Sequence, residues 1–508
     1  MTQAQQPKTR RITIEPITRL EGEAKIDIFL NDEGNVDNAY FQVVELRGFE
    51  RFCQGRPVEE MPRITTRICG VCPAAHHMAS SKAVDAVFGV DPPEPAKKLR
   101  ELFYCAHMVY DHIAHFFALA GPDFVVGPDA DPAKRNILGL IEKVGQEVGA
   151  EVFKHWSYSR KILEMIGGKA THPVCGLPGG MSKPITEEER KEIEEMAKSS
   201  VEFSKFSLKL FDDVVLKNKD YMDLITGDIY YHETYYMGMV DQNNKVNFYE
   251  GDIKVIDPKG KEYAKFKPKD YLNYIEEHVE PWSYLKFPYL KGVGWKGLVD
   301  GKDSGIYRVN CLARLNVADG MATPLAQEAY EKMYDVLGGK PSHATLAFNW
   351  ARIVELMYAS ERLLELATDK DITSQNIRTI PQGIIGEGVG CIEAPRGTLF
   401  HHYWSDEEGL ITKVNLIVAT GQNNGPMCMS IKKAAQSLIK NWKVDQGLLN
   451  MVEMAFRAYD PCLACATHTL PGQMPLEVII RDAKGNEFRK LSHHPHSKPP
   501  GITVDAVP

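Results

Sequence analysis

Two short stretches near opposite ends of the chain constrain it most. Cys69-Gly70-Val71-Cys72 is followed by His76, and Cys462-Leu463-Ala464-Cys465 by His468. A Cys-x-x-Cys turn lets two thiolates reach one metal ion, and two turns supply four. Four soft sulfur ligands select zinc, iron–sulfur, copper(I) or nickel, and disfavour magnesium and calcium. A zinc ribbon places its second pair about 15–20 residues after the first, because a small metal knuckle has no other core. Here nearly the whole chain intervenes. Loop-closure cost grows only slowly with length, but the fold itself has to bring such distant pairs together. A metal held in that way lies deep in a large domain, which suits catalysis better than stapling.

Composition narrows the class further. The 508 residues are enough for one large core or for two to three ordinary domains. The net charge of −8, with both signs mixed throughout, argues against a nucleic-acid partner. No apolar run reaches the roughly 18 residues that a membrane span needs. Arg10-Arg11 is followed by Ile12-Thr13-Ile14-Glu15, which is no apolar export region, so the expected location is the cytoplasm. Ten cysteines are present, and the six outside the two motifs (Cys53, Cys105, Cys175, Cys311, Cys391, Cys428) show no Cys-x-x-Cys spacing. They read as buried free thiols. The chain therefore lacks the ligands for a separate iron–sulfur cluster, and electrons made at the metal must leave through another polypeptide.

Arg67-Ile68-Cys69-Gly70-Val71-Cys72, with His76, and Asp460-Pro461-Cys462-Leu463-Ala464-Cys465, with His468, resemble the two motifs of the large, catalytic subunit of nickel–iron hydrogenases. The likeness extends along most of the chain through Pro16–Gly22, Arg47–Glu50, Tyr307–Val309 and Glu393–Gly397. Tyr307–Val309 and Leu315–Asp319 resemble the soluble, cytoplasmic, multi-subunit branch. A structural zinc scaffold and a nickel-free relative of the respiratory complex I type are the alternatives. The four retained cysteines argue against the second.

The resemblance implies reversible cleavage of H2 to protons and electrons at a nickel–iron pair. It makes Cys69 and Cys462 terminal on nickel, with Cys72 and Cys465 bridging to iron. The iron would carry cyanide and carbon monoxide, with Arg396 and Thr420 as hydrogen-bond donors and Ala394, Pro395 and Ala419 lining the apolar side. His76 matches a histidine that bonds a bridging sulfur. Asp111 and Asp460 match acids that cover the metals together with Arg396. Glu21 matches the glutamate that takes the proton near a terminal cysteine, a role suited to a carboxylate in a poorly solvated place. Glu50, His468 and the backbone carbonyl of Leu416 match ligands of a second site, usually magnesium, which prefers oxygen. The implied partners are an iron–sulfur small subunit docking near His172, further electron-transfer subunits, and a maturation endopeptidase.

The expected fold is α+β and mainly α: long helices around a buried metal, a small β-rich N-terminal part and an inserted α+β lobe. Within one large-subunit domain, residues 1–60 form the β-rich part, 61–220 and 311–468 the helical body, and 221–310 the lobe. Strands are expected at 24–29 and 40–44. Helices are expected near 49–53, 74–88, 95–119, 133–166, 323–337, 345–367, 427–441 and 446–458. Thr186-Glu187-Glu188-Glu189 is a capping box opening a helix to about Leu216. Residues 172–180 and the glycine-rich 383–390 are expected as loops. Ile353, Leu356, Met357, Leu363 and Leu364 mark one apolar helix face. Strands are also expected around 398–403 and 411–419. The extension 469–508 is expected to keep the second pair outside until the metals are loaded, and then to be cut off after His468. Its apolar Leu476–Ile480 and turn Lys484–Asn486 read as a hairpin, and His493, His494 and His496 as a polar tail.

Overall fold

The computed structural model describes residues 10–468 and three strand segments beyond them, Leu476–Arg481, Glu487–His493 and Thr503–Asp505. The chain begins with an antiparallel sheet of β1 (Arg10–Ile14), β2 (Ala24–Leu30) and β3 (Val36–Val43). Alternation in β2 buries Ile26 and Ile28. Asp27, on the opposite face, is buried as well, because β1 folds over it and supplies Arg11 and Thr13 as partners.

The helical body follows. α1 (Pro73–Val87) starts directly after Cys72, with proline where a helix needs no N–H donor. α2 (Glu94–Ile113) runs on into a π-helical turn, Ala114–Ala120. The expected helix at 133–166 is two helices, Ile137–Val144 and α3 (Gln146–Gly167), broken where Gly145 adopts φ 96°. α4 (Glu187–Phe211) carries both bonds of the expected capping box, Glu189 N–H to Thr186 Oγ1 at 3.1 Å and Thr186 N–H to Glu189 Oε2 at 2.8 Å. The loop expected at 172–180 contains a two-residue hairpin pairing Gly176–Leu177 with Gly180–Met181.

Between residues 221 and 310 strands dominate. β4 (Tyr235–Val240), β5 (Asp252–Ile256), β6 (Glu262–Phe266) and β7 (Tyr307–Arg308) form a sheet in the order β7-β4-β5-β6. Its apolar side is closed by Cys391, Phe400 and Ile417 from a later sheet. α5 (Cys311–Val317), α6 (Pro324–Leu337) and α7 (Ala347–Ala367) come next. The sequence pattern of α7 implies one apolar face, but every residue from Ala347 to Ser360 is buried, charged Arg352 and Glu355 included. Such a helix lies inside the molecule rather than on it.

β8 (Glu387–Ala394), β9 (Gly397–Ser405) and β10 (Ile411–Ile417) form an antiparallel sheet against α1. The glycine-rich stretch at 383–390 thus ends inside a strand. A Cβ on Gly390 would overlap the Ala79 carbonyl of α1, so glycine here serves close sheet–helix approach. α8 (Asn424–Leu438) and α9 (Gln446–Arg457) lead to the second cysteine pair. Past it, Leu476–Arg481 pairs antiparallel with Glu487–His493, as the expected hairpin requires. The turn at 484–486, His494 and His496 lie outside the described residues. Among those residues no helix is long and apolar enough to cross a membrane.

Candidate metal centre

Three distant segments are stitched together around the cysteines. Asp460 adopts φ 56° just past α9 and turns the chain inward. Glu21 then pairs with Cys462 as a parallel bridge: Glu21 N–H donates to Pro461 O at 3.3 Å, and Leu463 N–H to Glu21 O at 2.9 Å. Gly22, at φ 93°, leaves room for the Leu463 side chain. Arg47 ties the two cysteine loops to each other. Its Nη2 donates to Ala464 O at 2.7 Å and to Ile68 O, while its backbone N–H donates to Thr467 O at 2.9 Å.

The result is a cluster of four buried thiols whose sulfurs all lie within 4.8 Å of one another. Cys69 and Cys462 are 3.3 Å apart, Cys72 and Cys465 3.2 Å, and Cys462 and Cys465 2.8 Å. These separations are well beyond a disulfide bond. The N–H groups of Val71 and Cys72 point at Cys69 Sγ, at 3.1 and 3.3 Å. Hydrogen bonds from the neighbouring thiols hold Cys69 well below its ordinary pKa, and burial pushes Cys462 and Cys465 well above theirs. A soft cation binding there would release the remaining protons. Glu21 Oε2 lies 3.0 Å from Cys462 Sγ and accepts Ala464 N–H at 3.1 Å. Burial, then the negative charge on Cys69, raise the Glu21 carboxyl above its usual range.

Arg396 lies beside the cluster with both expected acids. It donates through Nη1 to Asp111 Oδ2 at 3.0 Å, through Nη2 to Asp460 Oδ1 at 3.1 Å, and through Nε to Asp460 O at 2.8 Å. All three residues are buried. Burial opposes the charge on Arg396, but Asp111 and Asp460 outweigh it and raise its pKa. Asp111 Oδ1 is buried and accepts no hydrogen bond among the described residues. Four soft donors beside an orphaned buried carboxylate oxygen suit an ion with further ligands of its own. Ala394 is buried and flanks the same turn. Thr420 Oγ1 accepts Cys462 N–H at 3.0 Å, so its hydroxyl hydrogen stays available as a donor.

The expected second-site residues also meet. Glu50 Oε1 accepts Leu416 N–H at 2.9 Å and lies 3.3 Å from His468 Nδ1. The Leu416 amide thus holds Glu50 in place beside His468. Burial would raise Glu50, but His468, Lys286 and that amide outweigh it and hold it below the usual carboxylate value. His76 is pushed down to about 4 by burial, and the hydrogen bond it makes here is Nδ1 to His401 Nε2, at 3.0 Å. His172 Nδ1 meets Thr66 O at 2.9 Å, close before Cys69 in the chain.

Sequence reasoning missed His401, Arg314, Arg352 and Glu355. No motif marked them, although a charged pair at i, i+3 inside an apolar helix, such as Arg352 and Glu355, is a readable signal. It also missed an apolar cavity of about 390 Å³, walled by Leu20, Val71, Ile113, Phe117 and Trp156, which reaches Glu21, Arg396 and Asp460.

Comparison with known proteins places the chain in a family. The family model described as nickel-dependent hydrogenase matches residues 47–146 and 150–468. A second, described as HoxL-like, matches residues 11–46. An F420-non-reducing hydrogenase iron-sulfur subunit from Archaeoglobus profundus is 56% identical over 95% of this chain and 99% of its own. The NAD-reducing hydrogenase HoxS subunit beta of Cupriavidus necator is 38% identical over 94% and 98%. The crystal structure of an NAD+-reducing [NiFe]-hydrogenase superposes with a TM-score of 0.86 at 36% identity, covering 91% of this chain and all of that one. The chain belongs to the nickel-dependent hydrogenase family, as a large subunit built around its four buried thiols.

Proposed function

We propose that this chain is the hydrogen-activating subunit of a multi-subunit nickel–iron hydrogenase, cleaving H2 reversibly into protons and electrons. The observation that carries it is the meeting of four sulfurs from both ends of the chain with Glu21 against one of them. Cys69 and Cys462 would hold nickel, with Cys72 and Cys465 completing the hold on a nickel–iron pair. When bound, this pair supplies the redox capacity and Lewis acidity that split H2 heterolytically.

The chain's own residues do the rest. The apolar cavity admits H2 and keeps bulk water from the sulfurs. Glu21 accepts the proton from Cys462 Sγ across 3.0 Å. Arg396 keeps second hydrogens on Nη1 and Nη2, and with Thr420 these would donate to cyanide and carbon monoxide on iron, against Ala394 and Pro395. Asp111 and Asp460 fix the guanidinium plane. Glu50, His468 and Leu416 would hold magnesium, keeping some of its waters. His76 would bond a bridging sulfur through Nε2.

Electrons would leave to an iron–sulfur small subunit near His172, and on to further subunits. Since the chain is more similar to subunits of F420-non-reducing hydrogenases than to the NAD-reducing one, the physiological acceptor would be other than F420. The assembly would work in the cytoplasm. An endopeptidase would remove residues 469–508 after the metals are in place, and the deep burial of His468 accords with a segment that closes inward last.

Replacing Cys465 by Ser in the assembled complex tests the reading. Nickel, iron and H2 turnover should be lost together. Full activity with both metals retained would overturn it.

A further inference from the structure

Among the described residues, one other place outside the thiol cluster brings metal-type ligands together. His112, Cys311 and Glu355, all buried, set ligand atoms within 4.8 Å of one another. The cation in that place is a side chain. Arg314 donates to both oxygens of Glu355 at 2.6 Å, through Nε and Nη2, and its Nη2 lies 3.5 Å from Cys311 Sγ. A metal would have to displace a guanidinium already held in a two-pronged grip.

The far edge of the same guanidinium faces the metal centre's own turn. Nη1 donates to Glu393 Oε2 and to Ala394 O, each at 2.8 Å, and Nη2 to Pro395 O at 3.1 Å. These three residues directly precede Arg396. Arg314 thus takes up two buried carbonyls of the β8–β9 turn, those of Ala394 and Pro395. Glu355 reaches the other side of the centre: its Oε2 lies 3.2 Å from His112 Nε2, and His112 follows Asp111 on α2. One turn earlier on α7, Arg352 Nη1 lies 3.3 Å from Asp460 Oδ2. Arg314, Glu355 and Arg352 are completely buried. Since Arg352 Nη1 also lies 3.4 Å from His112 Nδ1, a continuous polar network joins the turn before Arg396 to the helix carrying Asp111 and to Asp460.

We propose that Arg314, gripping Glu355 on one edge and the Glu393–Pro395 turn on the other, is a positioning residue that sets the aim of Arg396 at the metal centre. This rests on the function proposed above, in which Arg396 faces the ligands of iron. Arginine is required, because only a planar fork reaches one carboxylate with two nitrogens while serving a second carboxylate and two carbonyls. Lysine keeps the charge and loses that span.

The test uses the assembled complex carrying Arg314→Lys or Glu355→Gln. It reads the cyanide stretching bands in the infrared together with kcat and KM for H2, both normalised to nickel. Misaiming a positioned group by about 1 Å costs about 100-fold in rate, so Arg314→Lys should lower kcat by about 10–100-fold. KM for H2 should stay unchanged, and the cyanide bands should shift. Glu355→Gln keeps the side-chain volume and should move the bands in the same direction by less. The double variant should be no worse than Arg314→Lys alone, as for parts of one unit. Unshifted bands with kcat within about twofold of the parent in Glu355→Gln overturn the inference, even if Arg314→Lys fails to accumulate. If the unaltered complex itself shows no cyanide bands, it is the proposed function that fails instead.

Discussion

Replacing Glu21 by Gln removes a proton acceptor and very little else. The side chain keeps its length, and its amide oxygen can still accept Ala464 N–H, now 3.1 Å from Glu21 Oε2. The backbone bonds that pair Glu21 with Pro461 and Leu463 do not involve the side chain. What is lost is basicity 3.0 Å from Cys462 Sγ, since a carboxamide cannot take a thiol proton. A positioned acid–base group contributes about 10²–10⁴-fold. At about 1.4 kcal/mol per decade, that is about 3–5 kcal/mol of barrier. The stability cost is the difference between a charged and a neutral hydrogen bond, about 1 kcal/mol. The assay is exchange between D2 and water by the nickel-loaded complex, run alongside a thermal melt. Exchange should fall by at least about 100-fold, with nickel and iron content and melting nearly unchanged. Exchange within about threefold of the parent would refute the relay and move the proton path elsewhere.

Gly390→Ala should destabilise by about 1–3 kcal/mol, because the new methyl meets the Ala79 carbonyl with no void to enter; denaturant melts showing no change would contradict the packing. Asp123→Asn leaves two guanidiniums, Arg19 at 2.5 Å and Arg457 at 2.6 Å, short of their shared carboxylate, and should cost about 3–5 kcal/mol by the same measurement. For Glu355, burial opposes ionisation, but Arg314 and then His112 outweigh it and bring the carboxyl down to about 2. A depressed acid stabilises the fold above its unfolded pKa and loses that contribution as pH falls from about 4.5 towards 2, on the order of 3 kcal/mol. Glu355→Gln should flatten that acid limb of stability, and an unchanged limb would assign it to other groups. Intact mass of the nickel-loaded protein should end at His468, whereas a chain ending at Pro508 would exclude processing.

The site was legible because its chemistry is local in sequence. The Cys-x-x-Cys pairs carry their meaning in spacing, and Asp460-Pro461 and Glu393–Gly397 carry theirs in their resemblance to the family's motifs, so the fold only had to bring them together. The same holds for Thr186, whose capping box needs just the next turn of helix. The bracing residues were hidden because their meaning lies in burial. Arg314 and Glu355 are 41 residues apart in sequence and meet only when α5 packs beside α7. α7 misled for a related reason. Its apolar positions imply one buried face, while its charged residues are buried too because each finds a partner inside. Gly390 was expected in a loop, since sequence does not show that α1 passes against that strand. The bond from the Leu416 amide to Glu50 was hidden for the same reason, since it joins residues far apart in the chain.

The most direct measurement is metal analysis of the purified complex combined with its infrared spectrum. Nickel and iron in equal amounts on this chain, with bands from carbon monoxide and cyanide that move when H2 is added, are the expected result. Zinc bound by Cys69, Cys72, Cys462 and Cys465, with no such bands, would contradict the account.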